Sequence, residues 1–524
     1  MKKPFAFFCF SLASLLTAAV SGQDSGLNVN ASDTLIIEYR ADNQNGLDDD
    51  DNFASFVNRF DMSSTSGGLT ASLRFDSVYF IDLPTDDSGE ALENANGPLF
   101  VQETRLERFS AAYRLGDWQL NGGDTYVQMG RGILLSIRNL PELEQNRSVL
   151  GGKVMFQNSD HDWSLFGGEI NVTNRDGVNL HHVNDPHDML VGSSYEYSGF
   201  DNLSLGIMGM YLEPDQRLLE DERDLTTGGG LYFNMPVLTD WLSIYLEGDV
   251  QYRILAGQPE QGYAGYLTTD LMFGDLNLLV EGLWLDHFEV KGSDNSALNS
   301  RMIYNQAPTM ERIDQEVFNN TNVAGGRVRA EYYIYPLDLL FYVNGLYRLN
   351  DPGEDTQLDV LHLYSGFEHH FQEGRSKISG NGGWRNEMQS GETVKETLHA
   401  EVDYLQSMGE GIRLHFKSSN EFRSVQEVDG ADGGMNDYSR GTLFTGIETS
   451  AFGGLTFEFG YDTQNTSDDA QNYFYAGHLY WDMTDDITLR AIGGTQRGGI
   501  KCVNGVCRDY PEFSGGKLEI STRF

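Results

Sequence analysis

Cysteine is nearly missing from this chain: three stand among 524 residues, at Cys9, Cys502 and Cys507. A fold stapled by many disulfides is therefore excluded. Proline is scarce as well, at 12 residues, and neither a Pro/Ser-rich linker nor a composition shift marks a domain boundary. One large repetitive unit fits better than the three domains suggested by a prior of about 150 residues per domain. Positive charge is the third shortage, with 36 Lys and Arg against 78 Asp and Glu and a net charge of −42. Phosphate backbones attract the opposite sign, so nucleic acid is not expected as a partner. Past residue 22, no stretch offers the roughly 18 consecutive apolar residues that a membrane-spanning helix needs. The Gly-x-Ser-x-Gly elbow, His-Glu-x-x-His, the phosphate loop and the Cys-x-x-Cys-His haem motif are all absent, so neither enzymatic activity nor a cofactor is expected.

What is present begins with a leader. Lys2 and Lys3 precede an apolar stretch from Phe5 to Val20, and small residues at Ala19, Ser21 and Gly22 lead into polar Gln23. This is the pattern of a secretory signal peptide over residues 1–22, too short and too early for a spanning helix. Cys9 lies inside the apolar stretch rather than at the cleavage point, which argues against a lipoprotein anchor. Without Lys2 and Lys3 the balance is 34 basic against 78 acidic residues, a net of −44. In an exported protein, Cys502 and Cys507 read as a local disulfide across an Asn504-Gly505 turn.

Beyond the leader, polarity alternates with period two. Over residues 242 to 254, Leu242, Ile244, Leu246, Gly248, Val250, Tyr252 and Ile254 share one face, and Ser243, Tyr245, Glu247, Asp249, Gln251 and Arg253 share the other. Residues 455 to 462 and 517 to 524 repeat the pattern. A soluble sandwich also alternates, but the segments run about ten to fifteen residues, nearer the 9 to 11 of a tilted membrane strand than the usual 5 or 6. Very short connections, such as Gly116-Asp117, Asp201-Asn202, Asp240-Trp241, Gly274-Asp275 and Asp485-Asp486, alternate with long polar ones at 83–99, 173–187, 213–224, 289–322 and 427–437. Short turns on one side and long loops on the other describe an outer-membrane barrel. The expectation is an all-β, single transmembrane antiparallel barrel of about 24 strands over residues 32–524, with 22 or 26 also fitting, after a short periplasmic segment at 23–31. Trp118, Trp241 and Leu276 then start strands at the periplasmic interface, and Tyr332, Tyr333, Tyr335, Tyr473, Phe474 and Tyr475 suit interfacial girdles.

The chain ends Leu518-Glu519-Ile520-Ser521-Thr522-Arg523-Phe524. It resembles bacterial outer-membrane proteins whose final strand alternates and closes on an aromatic residue. The resemblance implies a location in the outer membrane of a Gram-negative bacterium, contact with its lipid, and a last strand read by the barrel-assembly machinery with Phe524 as the signal. Two stretches, Gly130-Arg131-Gly132-Ile133-Leu134-Leu135-Ser136 and residues 498–508, are similar to segments in a family of large outer-membrane barrels known only as a domain of unknown function. That resemblance implies architecture and brings no activity.

The densest set of potential metal ligands is His181, His182, Asp185, His187 and Asp188 in one long loop, with His181, His182, His187 and Asp188 the weak candidates for a transition metal. Mobile polar loops also generate such sets without binding anything, and that reading carries more weight. Acidic runs at Asp48–Asp51, Glu220–Asp224 and Glu427–Asp437 suit loose binding of divalent cations, with no match to the twelve-residue calcium loop. On the inward faces the acids Asp76, Glu247, Asp249, Glu458, Asp462, Asp482 and Glu519 meet the bases Arg74, Arg253, Arg490, Lys517 and Arg523, a mixed wall.

A barrel of about 24 strands leaves a wide hole unless something fills it. Residues 131–147 are expected on the exterior, yet they open with the apolar run Ile133, Leu134, Leu135 and Ile137 bracketed by Arg131 and Arg138. Either the run folds into the lumen as a constriction, its arginines pairing with inward carboxylates, or the strand continues above the membrane. Functionally, a porin-like channel for small polar solutes stands first. A shell or docking surface for a secreted, lipoprotein or electron-transfer partner is the alternative.

Overall fold

Period-two alternation has a direct physical outcome in strand Leu242–Leu255. Tyr245, Glu247, Asp249, Gln251 and Arg253 are buried, whereas Leu246, Val250 and Tyr252 are 46, 56 and 42% exposed. The polar face is inside and the apolar face outside, the reverse of a protein dissolved in water. The same outward exposure recurs at Phe75, Leu120, Ile207, Val343, Leu398 and Phe457. Leaving each such side chain in water would forgo roughly 1.5 to 3 kcal/mol, so the surrounding medium is hydrocarbon.

The computed structural model describes residues 26–42, 51–83, 85, 89–94, 97–140, 145–177, 179–215, 224–295, 300–310, 321–409, 411–426, 434–451, 453–464, 471–503, 506–510 and 512–524. The expected leader at 1–22 lies outside them. Twenty-four wall strands pair antiparallel in chain order, and the first, Leu27–Asp42, pairs with the last, Phe513–Arg523, closing the sheet. Strand structure begins at Leu27 and not near Ser32, because Leu27 to Ala31 pair with Ser66 to Met62 of the second strand. Ser32 is where pairing with the last strand begins, opposite Arg523. Phe524 extends that seam, its backbone N–H donating to Ala31 O at 2.8 Å, and its side chain is exposed.

One rim carries the tight turns. Gly116 and Gly274 sit there with φ of 60° and 62°, a conformation that costs glycine nothing. Beside these turns Trp118 packs on Phe156 and Trp163 at 4.9 and 6.1 Å, and Trp241 stacks on Phe273 at 5.7 Å, forming an interfacial girdle. A closed barrel with this belt is a multi-pass protein of the Gram-negative outer membrane. The opposite rim is not uniformly long-looped. Ala256-Gly257 and Ser390-Gly391 join their strands there in two residues, with positive φ at all four positions, the geometry that tight hairpins need.

Candidate functional site

Strand Trp118–Thr125 is eight residues long, whereas its neighbours Glu103–Leu115 and Gln145–Gln157 have thirteen each. The chain leaves the wall at Tyr126 and forms a hairpin of Val127–Met129 against Leu135–Ile137. It rejoins the sheet at Asn139–Leu140, opposite Asn146 and Gln145. The apolar run thus leaves the wall at 126, earlier than the expected start at 131, and of the two expected courses it takes the inward one.

Ile133, Leu134, Leu135 and Ile137 are each 0% exposed and pack in one cluster with lumen-facing residues such as Val149, Phe166, Leu190, Met210 and Leu283. The wall makes room with small residues. A Cβ on Gly228 would lie 2.6 Å from Leu134 Cδ1, and one on Gly192 would lie 2.6 Å from Met129 Cε. At the hairpin tip Gly130 has φ of 52°, and a Cβ there would meet the Glu247 carboxylate at 2.3 Å. Glu247 accepts the backbone N–H of Arg131 at 2.9 Å and the hydroxyl of Tyr245. The Arg131 guanidinium lies 4.5 Å from the centre of the Tyr245 ring, a cation–π contact. Arg138 departs from expectation: its Nε donates to the Gln306 amide oxygen at 2.9 Å, since Gln306, not an acid, stands beside the returning arm.

Gln306 belongs to a second inward element, within the 289–322 connector expected on the exterior. Lys291–Asn295 pairs with Ser300–Ile303, and the chain beyond lies along the first hairpin. Ser136 N donates to Tyr304 O and Gln306 N to Gly132 O, both at 2.7 Å, which lays a third extended segment alongside the hairpin. Asp188 fastens this segment. Fully buried, it accepts from Ser293 N at 2.9 Å, Tyr304 OH at 2.7 Å and Asp215 N at 3.0 Å, and also from the Ser293 hydroxyl. Four donors offset the cost of burying a carboxylate. Burial first, then the Asp188 charge, push the Tyr304 hydroxyl well above the usual tyrosine range, so it remains a donor.

The other candidates are scattered. The His181 ring stands edge-on to Phe100 at 5.1 Å, His182 bonds Asn184 at 3.1 Å, and His187 faces Glu169 at 3.3 Å while Asp188 turns inward. Among the described residues no three metal-ligating side chains converge. Asp224 is buried, bonded to Ala256 N at 2.8 Å and Arg301 at 3.3 Å, and most of the acidic runs at 48–51, 220–224 and 427–437 lies outside the described residues. Cys502 and Cys507 are directly opposite in a hairpin register, and their side chains also lie outside the description.

A second apolar cluster, with Phe53, Phe80, Phe100 and Leu180, joins the outer loops to the first three strands. Neither cluster includes a described residue from 358 onward. Along that arc the lumen face is mostly polar, with Arg385, Glu387, Glu401, Lys417, Glu421 and Arg423 beside a few apolar residues such as Val360 and Phe474.

No family model matches the chain, including any for the family suggested by residues 130–136 and 498–508, and no curated protein matches it. Solved structures do. The siderophore receptor PirA from Pseudomonas aeruginosa is 7% identical, with a TM-score of 0.44, over 95% of this chain and 80% of that one. The P pilus usher (PapC) translocation pore is 10% identical, with a TM-score of 0.41, over 95% and 99%. OccK2 (OpdF) from Pseudomonas aeruginosa is 11% identical, with a TM-score of 0.39, over 70% and 94%. The chain is similar to each of these bacterial outer-membrane barrels in outline, at low identity.

Proposed function

We propose that this barrel is a porin-like channel for small polar solutes, narrowed by the hairpin Val127–Ile137. One observation carries the reading: Ile133, Leu134 and Leu135 are fully buried inside a barrel whose lumen face from residue 358 onward is mostly polar. An apolar hairpin packed on one arc of the wall reduces the opening and leaves the polar arc to solutes. Its tip is held on Glu247 through the backbone N–H of Arg131, and its base on Gln306 through the guanidinium of Arg138. The excess of acids in the chain favours cations at the mouth. Phe524, at the closing seam, acts in this reading as the signal for insertion. Single-channel recording on purified protein tests the proposal: a channel conducts alone, whereas a shell for a partner conducts poorly and co-purifies with that partner.

A further inference from the structure

On the polar arc the wall is indented by a cleft of about 250 Å³. Five of the charged groups lining it are Arg329, Glu368, Glu401, Asp403 and Lys417, contributed by strands Val323–Ile334, Leu358–Phe371, Glu392–Ser407 and Ile412–Gln426. Three carboxylates therefore face two cations. Most of these charges are already engaged. Arg329 donates to Glu331 at 2.7 Å and covers the Tyr342 ring at 4.4 Å. Glu368 holds Lys377 at 2.5 Å and His370 at 2.8 Å, and Asp403 holds His415 at 2.8 Å. Glu401 is engaged too, accepting among its contacts a bond from Ser419 at 3.4 Å.

Lys417 is the exception. It stands directly across the ladder from Asp403, whose carboxylate is turned to His415. Its ammonium makes no hydrogen bond or ion pair with any described residue. An uncommitted ammonium in a cleft attracts an anionic group. A purely anionic solute, however, would also meet the carboxylates of Glu401 and Asp403 lining the same cleft, and like charges there oppose the attraction of Lys417. A solute carrying both signs escapes that penalty, with its carboxylate on Lys417 and its ammonium toward Glu401 and Asp403.

We infer that this cleft is a lumen subsite for a small zwitterion of the α-amino-acid class. The inference rests on the channel reading, and it is tested by binding rather than conduction so that the two fail separately. Saturation-transfer NMR on the purified, folded barrel would compare three solutes that share a skeleton. L-serine carries both charges, glycerate replaces the ammonium with a hydroxyl, and serinol replaces the carboxylate with an alcohol. Serine should bind at least tenfold more tightly than either analogue. Lys417→Met should abolish the advantage over serinol, and Glu401→Gln should reduce the advantage over glycerate. Glycerate binding as tightly as serine, no detectable serine binding, or serine binding unchanged in Lys417→Met would each overturn it. All three readouts stand whether or not the barrel conducts.

Discussion

Glu247, on a wall strand, accepts the backbone N–H of Arg131 at 2.9 Å across 116 residues of sequence. The bond is made at the tip of the inward hairpin, where Gly130 lies flat against the same carboxylate. The close approach requires the absence of a side chain and a left-handed backbone together.

Gly130→Ala should therefore unseat the tip. The left-handed conformation alone costs an L-residue roughly 1 to 2 kcal/mol, before the contact with Glu247 is counted. Hydrogen exchange of residues 129–135 should accelerate at least tenfold in a barrel that stays heat-modifiable. Unchanged protection would show that the tip tolerates a Cβ and that the contact does not fix it.

Asp188 is the second fastening, and its removal is expected to be more damaging. Asp188→Ala leaves donors on Ser293, Tyr304 and Asp215 without their buried acceptor, a loss of about 3 kcal/mol or more. Protection of residues 291–295 and 300–306 should fall while the strands Leu358–Phe371 and Ser376–Gln389 keep theirs. Equal protection in both variant and parent would mean that the segment is held by other contacts.

Much of the wall was legible because an outward strand face must be apolar in lipid and an inward one polar in water, so period two survives in the sequence. The plug was half legible. Ile133, Leu134, Leu135 and Ile137 stood out as an apolar run where a polar loop was due, but nothing local says that Asn139–Leu140 rejoin the wall. The inward turn of Asp188 was not legible either: His187 beside it takes a left-handed backbone, with φ of 54°, and faces Glu169 while Asp188 is buried, so neighbours in sequence are not neighbours in space. Lys417 gave no signal either. Its lack of a partner among the described residues follows from Asp403 turning to His415, across a strand pair.

Orientation gives a third test. An epitope inserted in the turn between strands Leu339–Asn350 and Leu358–Phe371, after Glu354, should be detected on intact cells. One inserted at Asn202, on the tight-turn rim, should appear only after the outer membrane is permeabilised. The reverse pattern would invert the topology.

The hairpin of Gly499–Val503 and Val506–Tyr510 sets Cys502 opposite Cys507. A disulfide proposed there would close a short loop and contribute about 2 kcal/mol in the chain-entropy model. Thiol titration of the unfolded, unreduced protein should find no reactive cysteine. Two reactive thiols would reject the pairing.

The most direct test of the central claim is the single-channel conductance of a barrel from which Val127 to Ile137 have been excised. Val127 and Ile137 are paired across the base of the hairpin, so Gly-Gly can bridge Tyr126 to Arg138 with little disturbance of the wall. If the hairpin narrows the pore, conductance should rise several-fold over the parent. The same conductance in a correctly folded, heat-modifiable variant would contradict the account.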